Sequence, residues 1–368
     1  MELSALAKDY GDFYAPAYAV RLGQADVMRD LLLAVSQVEV DLVLGAASRF
    51  SMTLTDCYSH KLHEFKTGRG ANVFDLIAFG SEVEVCIGYG DAKSMPVAMS
   101  GVITEIATSF PEGGSPELTI AGYDHGFPLT LGKYSRPFKK SSDSDAAHQI
   151  ASRNNLGAVI EATQEKHAQI EQNQESDWEF LKKLAERNFY ELYVDERRRL
   201  HFAPPNKKAQ PVVRLVYGQG LLSFKPEANL ARQVSDVEVH GWDPMAKKEI
   251  VGKAKAGEES GLTGTSAGQH LNSFVRDPEK RPTLSLRQPV FTQAEADQRA
   301  KALLNDRAEQ FLTGEGEAIG LPDLRPDRNV QLDGLGDPFS KTYYLQQTTH
   351  KIDTNGYRTR FKVKVPGL

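Results

Sequence analysis

The pattern closest to a catalytic motif lies at Ser266, within Gly264-Thr265-Ser266-Ala267-Gly268. Gly-x-Ser-x-Gly is the spacing of a nucleophile elbow, in which a buried strand drives the serine into a tight turn before a helix. The preceding residues 258–261 are two glutamates, a serine and a glycine, which are typical of a loop. We therefore predict a flexible loop at Ser266 and not a catalytic nucleophile.

A second pattern, Cys57-x-x-His60-x-x-His63, brings together three residues that can bind zinc. A structural zinc site needs four ligands, and this segment contains no second Cys/His pair. We predict histidines at the surface beside a core cysteine. Cys57 and Cys86 are the two cysteines of the chain and do not form a disulfide framework, so both are predicted to be buried thiols.

Glycine motifs for nucleotides are incomplete. Gly314-x-Gly316-x-x-x-Gly320 is one residue too long for a dinucleotide fingerprint and follows a predicted helix instead of a strand. Gly132-Lys133-Tyr134 lacks the hydroxyl residue and the upstream glycine of a phosphate loop. We predict no catalytic, cofactor-binding or metal-binding residues and no cofactor.

Basic residues alternate with apolar or β-branched ones at 358–365, near the C-terminus. This pattern predicts a strand with one face packed inward and the other positively charged. Two interpretations stay open. The strand blocks aggregation at a sheet edge, or it contacts an acidic neighbouring subunit.

Composition gives further limits on function. The chain has 368 residues, of which 40% are hydrophobic and 25% charged, with a net charge of -5. This mild acidity gives no electrostatic footprint for nucleic acid. The sequence begins without a signal peptide and contains no apolar run of membrane-spanning length, so we expect a protein made in the cytoplasm without a membrane segment.

The elements that must position these residues fall into three regions. Short strands with frequent turns dominate residues 1–138, as expected of a small barrel or sandwich. Residues 31–44 are ambiguous, although their valines favour an extended segment over a helix. Residues 139–206 start with a polar linker and contain a capping box at Ser176-Asp177-Trp178-Glu179, which opens a helix followed by two strands. This region is predicted to be an α+β domain.

Residues 207–368 return to strands. Residues 247–284 are poor in apolar side chains, which predicts a long mobile loop. A second capping box, Thr292-Gln293-Ala294-Glu295, predicts a helix over 292–313 that ends before Gly314.

One β pattern occurs twice. Val83-Glu84-Val85 precedes Gly88-Tyr89-Gly90-Asp91, and Val330-Gln331-Leu332 precedes Gly334-Leu335-Gly336-Asp337. Each copy predicts a strand, a turn, a return strand and a closing hairpin. The pattern indicates either an internal duplication or two hairpins that share turn chemistry. If it is a duplication, the two segments should occupy equivalent places in two similar barrels.

Three blocks of sequence resemble the late control protein D family of phages, the baseplate hub proteins of contractile tails and related injection systems. The blocks are residues 176–187, residues 294–326, and residues 334–361 with Tyr343-Tyr344 and His350. Ile87-Gly88-Tyr89 and Gly122-Tyr123-Asp124 also fit the family.

The resemblance implies a mainly β fold with α+β, in which two similar β-barrel domains flank an α+β domain. It further implies a homotrimer in which six barrels match a six-fold tail tube and the true three-fold axis matches a spike. The expected partners are a tail tube protein, a separate spike protein and other baseplate proteins. A separate spike is expected because related type VI spike proteins carry a fused spike domain, whereas this sequence ends after its last strand.

Three functional classes therefore compete. The first is a non-enzymatic structural hub in the baseplate of a phage or injection particle. The second is a β-rich module that binds glycans or another surface, for which Tyr343 and Trp242 are predicted to be exposed aromatics. The third is a hydrolase that uses Ser266.

Overall fold

The computed structural model describes residues 1–91, 95–244 and 246–368. Strands account for 46% of the chain and helices for 19%, which confirms a mainly β fold with additional helices. The strands are β1 Pro16–Leu22, β2 Ala25–Asp26, β3 Ala34–Val43, β4 Arg49–Thr55, β5 Tyr58–Ser59, β6 Glu64–Phe65, β7 Glu82–Tyr89, β8 Val97–Ser109, β9 Glu117–Asp124, β10 Tyr134–Ser142, β11 Gly157–Ile160, β12 Lys166–Glu175, β13 Glu191–Val194, β14 Arg199–Ala203, β15 Val213–Tyr217, β16 Gly220–Ala228, β17 Asp236–Asp243, β18 Lys248–Lys255, β19 Thr283–Arg287, β20 Leu312–Ile319, β21 Asn329–Asp333, β22 Lys341–Asp353 and β23 Gly356–Val365.

Five α-helices and four 3-10 turns lie among these strands in the part of the chain that the structure describes. They are α1 Leu3–Asp9, α2 Asp143–Arg153, α3 Asp177–Asn188, α4 Ala267–Phe274 and α5 Gln293–Glu309, with 3-10 turns at Gly11–Phe13, Val73–Asp75, Phe127–Thr130 and Pro278–Lys280. In the part of the chain that the structure describes, no helix has both the length and the apolar character needed to cross a membrane.

A first six-stranded unit has the neighbour order β1-β7-β8-β9-β4-β3. Its strands alternate buried apolar residues with more exposed ones, as in β3, where Val38, Val40 and Leu42 are buried. The ambiguous segment 31–44 is therefore a strand, as its β-branched content favoured. All six strands contribute to one core.

A second six-stranded unit closes on itself. Its order is β21-β15-β16-β20-β23-β22, and β22 pairs with both β21 and β23. This ring is a closed barrel around a separate core that includes Leu215, Leu332 and Tyr343. The same sheet continues from β22 into β3, so the two units, together with β2 at the edge of β1, form one 13-stranded sheet.

The two units have corresponding strands. Taken in chain order, the strands of the first unit, β1, β3, β4, β7, β8 and β9, correspond to β15, β16, β20, β21, β22 and β23 of the second unit. All five pairs of neighbouring strands in the first unit have a corresponding pair in the second unit. One of them differs in direction, because β1–β7 is antiparallel and β15–β21 is parallel. Irregularities recur as well. The β3–β4 ladder shifts at Val35/Gln37 and the β16–β20 ladder at Leu221/Ser223.

A second pair of bulges lies at Ile103/Glu105 in β8–β9 and at Leu345/Gln347 in β22–β23. The repeated sequence pattern thus falls on corresponding strands β7 and β21. The first glycines of the two copies differ, because Gly88 lies within β7, whereas Gly334 lies in the turn after β21 with φ +76°. The second glycines, Gly90 and Gly336, both follow the strand with a positive φ, +82° and +84°. The two units are therefore related more closely by strand order and bulges than by the turn residues.

The middle region forms an α+β domain with its own core. The Ser176 side chain accepts a hydrogen bond from the Glu179 N–H and the Glu179 carboxylate accepts one from the Ser176 N–H, which confirms the first capping box. The predicted linker at 139–143 is wrong. Residues 139–142 are the end of strand β10, which pairs with β12. Ser142 is also the N-cap of α2, which begins at Asp143. Strand β10 also crosses residue 138, the predicted domain boundary.

The predicted mobile loop at 247–284 is also wrong, because it contains β18, α4 and the start of β19. Strands β18, β17 and β19 form a sheet on which α5 packs, with its own small core. Helix α5 ends at Glu309 and not at 313, because Leu312 already begins β20. Thr292 caps α5 as predicted, but the Glu295 carboxylate accepts from the Phe291 N–H and not from its cap residue.

Candidate assembly interface

The joint between the two barrel units is a continuous antiparallel ladder between β3 and β22. It pairs Val38–Val43 with Gln347–Ile352, so that Asp41 lies opposite Thr349. The Asp41 carboxylate accepts hydrogen bonds from the Gln347 amide at 2.9 and 3.0 Å and from the Thr349 hydroxyl at 2.8 Å. Backbone pairing and this side-chain cluster fix the register of one unit on the other.

His350 anchors the joint from inside the second unit. Its Nε2 donates to the Leu324 carbonyl at 2.9 Å, and its Nδ1 accepts from the Tyr357 hydroxyl at 2.8 Å. Full burial lowers the pKa of His350 to about 3, so the ring is neutral at physiological pH. A neutral imidazole with both nitrogens bonded is a structural group here and has no free lone pair for proton transfer.

Arg325 ties both units to the middle domain. Its guanidinium donates to the carbonyls of Val97 and Ala98 in β8 at 3.2 and 2.9 Å, and to the Glu196 carboxylate at 2.8 Å. Burial lowers the pKa of Arg325, while Glu196 opposes that shift. One buried side chain therefore bridges three parts of the molecule.

A buried charge cluster forms a second bridge. Lys364 of β23 lies 2.6 Å from the Glu309 carboxylate of α5 and 3.5 Å from that of Glu191 in β13. Lys207 is the second cation on Glu309, and the Tyr344 hydroxyl donates to Glu191 at 3.1 Å. The two carboxylates raise the pKa of Lys364 against the opposing effect of its burial. The cluster holds the second barrel, α5 and the middle domain in a fixed arrangement.

A cleft of about 640 Å³ lies where these parts meet, and four of its charged side chains form two ion pairs within its lining. Arg198 contacts Glu82 at 2.7 Å and Arg325 contacts Glu196 at 2.8 Å. His125 also lines the cleft, and burial lowers its pKa. Among the described residues that line the cleft, no serine, threonine or cysteine side chain is hydrogen-bonded to His125. The cleft therefore resembles a packed domain junction more than an active site.

The structure places Ser266 in a capping role. Its hydroxyl accepts from the Gln269 N–H at 3.3 Å, while the Gln269 side chain accepts from the Ser266 N–H at 2.9 Å. The side chain is fully buried at the start of α4. The predicted flexible loop is therefore wrong at this position, because Ser266 is the N-cap of a short helix.

The candidate zinc ligands do not converge. Cys57 is buried, whereas His60 and His63 are exposed, with the His63 Nδ1 3.3 Å from the Tyr58 hydroxyl. Burial raises the pKa of both thiols, Cys57 and Cys86. Within residues 1–91, 95–244 and 246–368, no group of three His, Cys, Asp or Glu side chains is placed to hold a metal ion.

Two further predictions are corrected. The basic strand β23 is not an edge strand, because it pairs with β20 and β22, and its Arg360 and Lys362 face Glu317 and Glu315 of the same chain. Tyr343 is fully buried, so it is not an exposed aromatic, whereas Trp242 is 55% exposed.

The glycines of the 314–320 run serve packing. A Cβ on Gly314 would lie 2.5 Å from the Phe224 ring, and one on Gly316 would lie 2.5 Å from the Phe361 ring. These glycines sit in β20 and leave room for aromatic side chains inside the second barrel.

The model of the Alg8 N-terminal domain family matches residues 30–354. The chain belongs to this Alg8 N-terminal domain family. No curated protein matches it.

Two solved structures with a fold similar to this chain are tail proteins. A 43 kDa tail protein of prophage MuSo2 from Shewanella oneidensis is 13% identical with a TM-score of 0.71, over 96% of this chain and 99% of that one. A tail protein from Neisseria meningitidis is 15% identical with a TM-score of 0.68, over 95% and 97%.

A third structure, from Escherichia coli, is a type VI secretion component described as similar to the T4 tail proteins gp27 and gp5. It is 10% identical with a TM-score of 0.58, over 96% of this chain and 77% of that one. The resemblance to baseplate hub proteins is thereby confirmed at the level of the fold.

Proposed function

We propose that this protein is the structural hub in the baseplate of a contractile phage tail or phage-tail-like injection system. In this role three copies form an adaptor between a six-fold tail tube and a three-fold spike. The observation that carries the proposal is the pair of six-stranded units with matching strand order and matching bulges in one chain. Three such chains present six similar units around a true three-fold axis.

The attachment of the units through buried contacts supports a structural role over a catalytic one. The β3–β22 ladder, the Arg325 bridge and the Lys364 cluster each join separate parts of the chain through buried contacts. We propose that the protein is not an enzyme and that it is made in the cytoplasm before it enters the particle. Its proposed partners are a second and third copy, the tail tube protein, the spike protein and other baseplate proteins, as in the late control protein D family.

The mass of the purified protein tests this proposal. Native mass spectrometry and light scattering should give three chains per particle, and electron microscope images should show a ring of six similar lobes with three-fold symmetry. A strict monomer or a dimer across the accessible concentrations contradicts the trimeric hub.

A second candidate function, surface glycan binding, is favoured by one groove. The groove holds about 560 Å³ on the β17–β18–β19 sheet, and its rim carries Trp242 and Phe291, which are 55% and 57% exposed. Exposed aromatic rings form the usual platform for sugar faces. Binding on a glycan array that Trp242→Ala removes supports this candidate, and an array without signal argues against it.

A further inference from the structure

Strand β8 leaves half of one edge without a partner. It pairs with β7 only over Val97–Val102 and with β9 over Gly101–Ser109. On the edge opposite β9, the Ile103 N–H and carbonyl bond to the Ser81 carbonyl and the Gly80 N–H. In the described part of the chain, that edge has no strand partner from Thr104 to Ser109. The corresponding strand β22 pairs in the same way with β21 and β23, but it uses this remaining edge to bind β3.

Strand β16 has the complementary gap. It pairs with β20 over Leu221–Ala228, but with β15 only at Gly220 and Leu221. Its counterpart β3 pairs with β4 on one edge and with β22 on the other. The chain therefore uses one copy of the joint internally, and within the described residues both halves of the second copy are unpaired.

We propose that β8 of one chain pairs with β16 of a second copy and repeats the β3–β22 joint between chains. This inference rests on the proposed hub, because three chains then form a ring with six equivalent joints, three within chains and three between them. The contact is heterologous, so it closes into a ring at a fixed number of copies.

The matching bulges predict the register. Aligning Val35/Gln37 with Leu221/Ser223 makes Glu227 the counterpart of Asp41. Aligning Leu345/Gln347 with Ile103/Glu105 makes Ala107 the counterpart of Thr349. Since Asp41 lies opposite Thr349 within the chain, Ala107 of one chain should lie opposite Glu227 of the second copy.

Exposure agrees with a missing partner at these edges. The internal joint buries Val38 and Ile352, whereas their counterparts Phe224 and Phe110 are half-buried and 59% exposed. Further exposed apolar side chains flank the two edges, with Phe79 at 70% exposure on the first unit and Tyr217 at 60% on the second. Apolar residues beside unpaired strand edges mark an interface between chains.

The joint between chains should be weaker than the joint within the chain. Pro226 replaces Val40 in the register and has no N–H to donate. Glu227 replaces Asp41, but Glu105 and Ala107 stand where Gln347 and Thr349 supply donors. A weaker joint still closes a ring, because every chain in a closed ring makes two of them.

Disulfide cross-linking tests this register. Ala107→Cys combined with Glu227→Cys places two thiols at directly opposed positions of an antiparallel ladder, within the distance that a disulfide spans. Both side chains are exposed, and the native Cys57 and Cys86 are buried. On oxidation we expect a covalent species of three chains on a non-reducing gel.

Two control variants keep the test specific. Asp41→Cys with Thr349→Cys should form a disulfide within one chain and leave the mass on the gel unchanged. Ala107→Cys with Ser223→Cys shifts the register by four residues on the same face and should not cross-link.

The outcomes separate this inference from the hub itself. A protein that has the mass of three chains but does not cross-link through 107 and 227, or that cross-links equally through 107 and 223, overturns the proposed joint and leaves the hub standing. A protein that is monomeric by native mass and is not cross-linked overturns both.

Discussion

Replacing Lys364 by methionine should destabilise the protein far more than the same change two residues earlier. Lys364 is 11% exposed, and its carboxylate partners Glu309 and Glu191 are 9% and 15% exposed. Methionine keeps most of the side-chain volume and removes the charge, which leaves two buried carboxylates with a single cation, Lys207. Removal of one partner from a buried ion pair costs about 3–5 kcal/mol.

Lys362 is the matched control on the same strand. It lies 3.4 Å from Glu315, and the two side chains are 55% and 71% exposed. Exposed pairs contribute about 0.2–1 kcal/mol, so Lys362→Met should have little effect. The difference between the two variants is therefore expected to be about 2 kcal/mol or more.

Urea unfolding followed by circular dichroism measures both losses, because urea does not screen charge. The double variant Lys364→Met with Glu191→Gln should recover part of the loss, since it removes the carboxylate that Lys207 does not contact. Equal losses for the two single methionine variants would refute the reasoning, because burial would then not determine the strength of these pairs.

The remaining predictions concern a titrating group, a packing contact and a cap. His350 has a pKa of about 3 in the folded state, so between pH 6.5 and 3 the unfolded chain binds a proton that the folded protein does not, and stability falls as the pH falls. From pH 7 to 5 the free energy of unfolding should fall by about 2 kcal/mol. The difference in unfolding free energy between the parent protein and His350→Gln should shrink by the same amount. A difference that does not change with pH argues against a neutral buried ring. Gly316→Ala would place a Cβ 2.5 Å from the Phe361 ring and should lower the free energy of unfolding by about 1–3 kcal/mol. Gly88 also lies in a strand, but the nearest atom to its added Cβ would be 3.5 Å away. Gly88→Ala should therefore lose less stability in the same urea titration. Ser266→Ala should lose about 0.5–2 kcal/mol as a lost helix cap while the native mass stays unchanged, and a change in mass without a loss of stability would contradict the capping role.

Local chemistry made part of the fold predictable. Helix α3 follows from the capping box at Ser176 and an apolar stripe, and both are complete within a dozen residues. Strands β4, β7, β8 and β9 follow from alternating apolar residues bounded by turns. In each case the signal and the structure it predicts lie in the same short segment.

Strand β18 shows why other elements were missed. Its inward positions include Gly252 and Ala254, which are too small to give an apolar pattern. They are small because α5 lies directly on them, and a Cβ on Gly252 would lie 2.1 Å from the Ala296 backbone. The residues that permit close helix packing are therefore the same residues that made the segment resemble a loop.

The candidate interface was out of reach for a different reason. Asp41 and Thr349 are separated by most of the chain, and neither residue type indicates a strand partner. Tyr343 and Trp242 gave the same signal in the sequence, yet one is buried and the other exposed, because burial depends on which strands close the barrel.

The internal repeat was a correct prediction with an incomplete reason. The Gly-x-Gly-Asp turns drew attention to β7 and β21, but Gly88 and Gly334 occupy different places, and the stronger equivalence lies in two pairs of bulges. A bulge offsets every later residue of a strand relative to its neighbour. Two units that share both bulges therefore share the register of their outer edges, and a single chain can present the same joint twice. That shared register is what a three-chain ring needs in order to meet a six-fold partner.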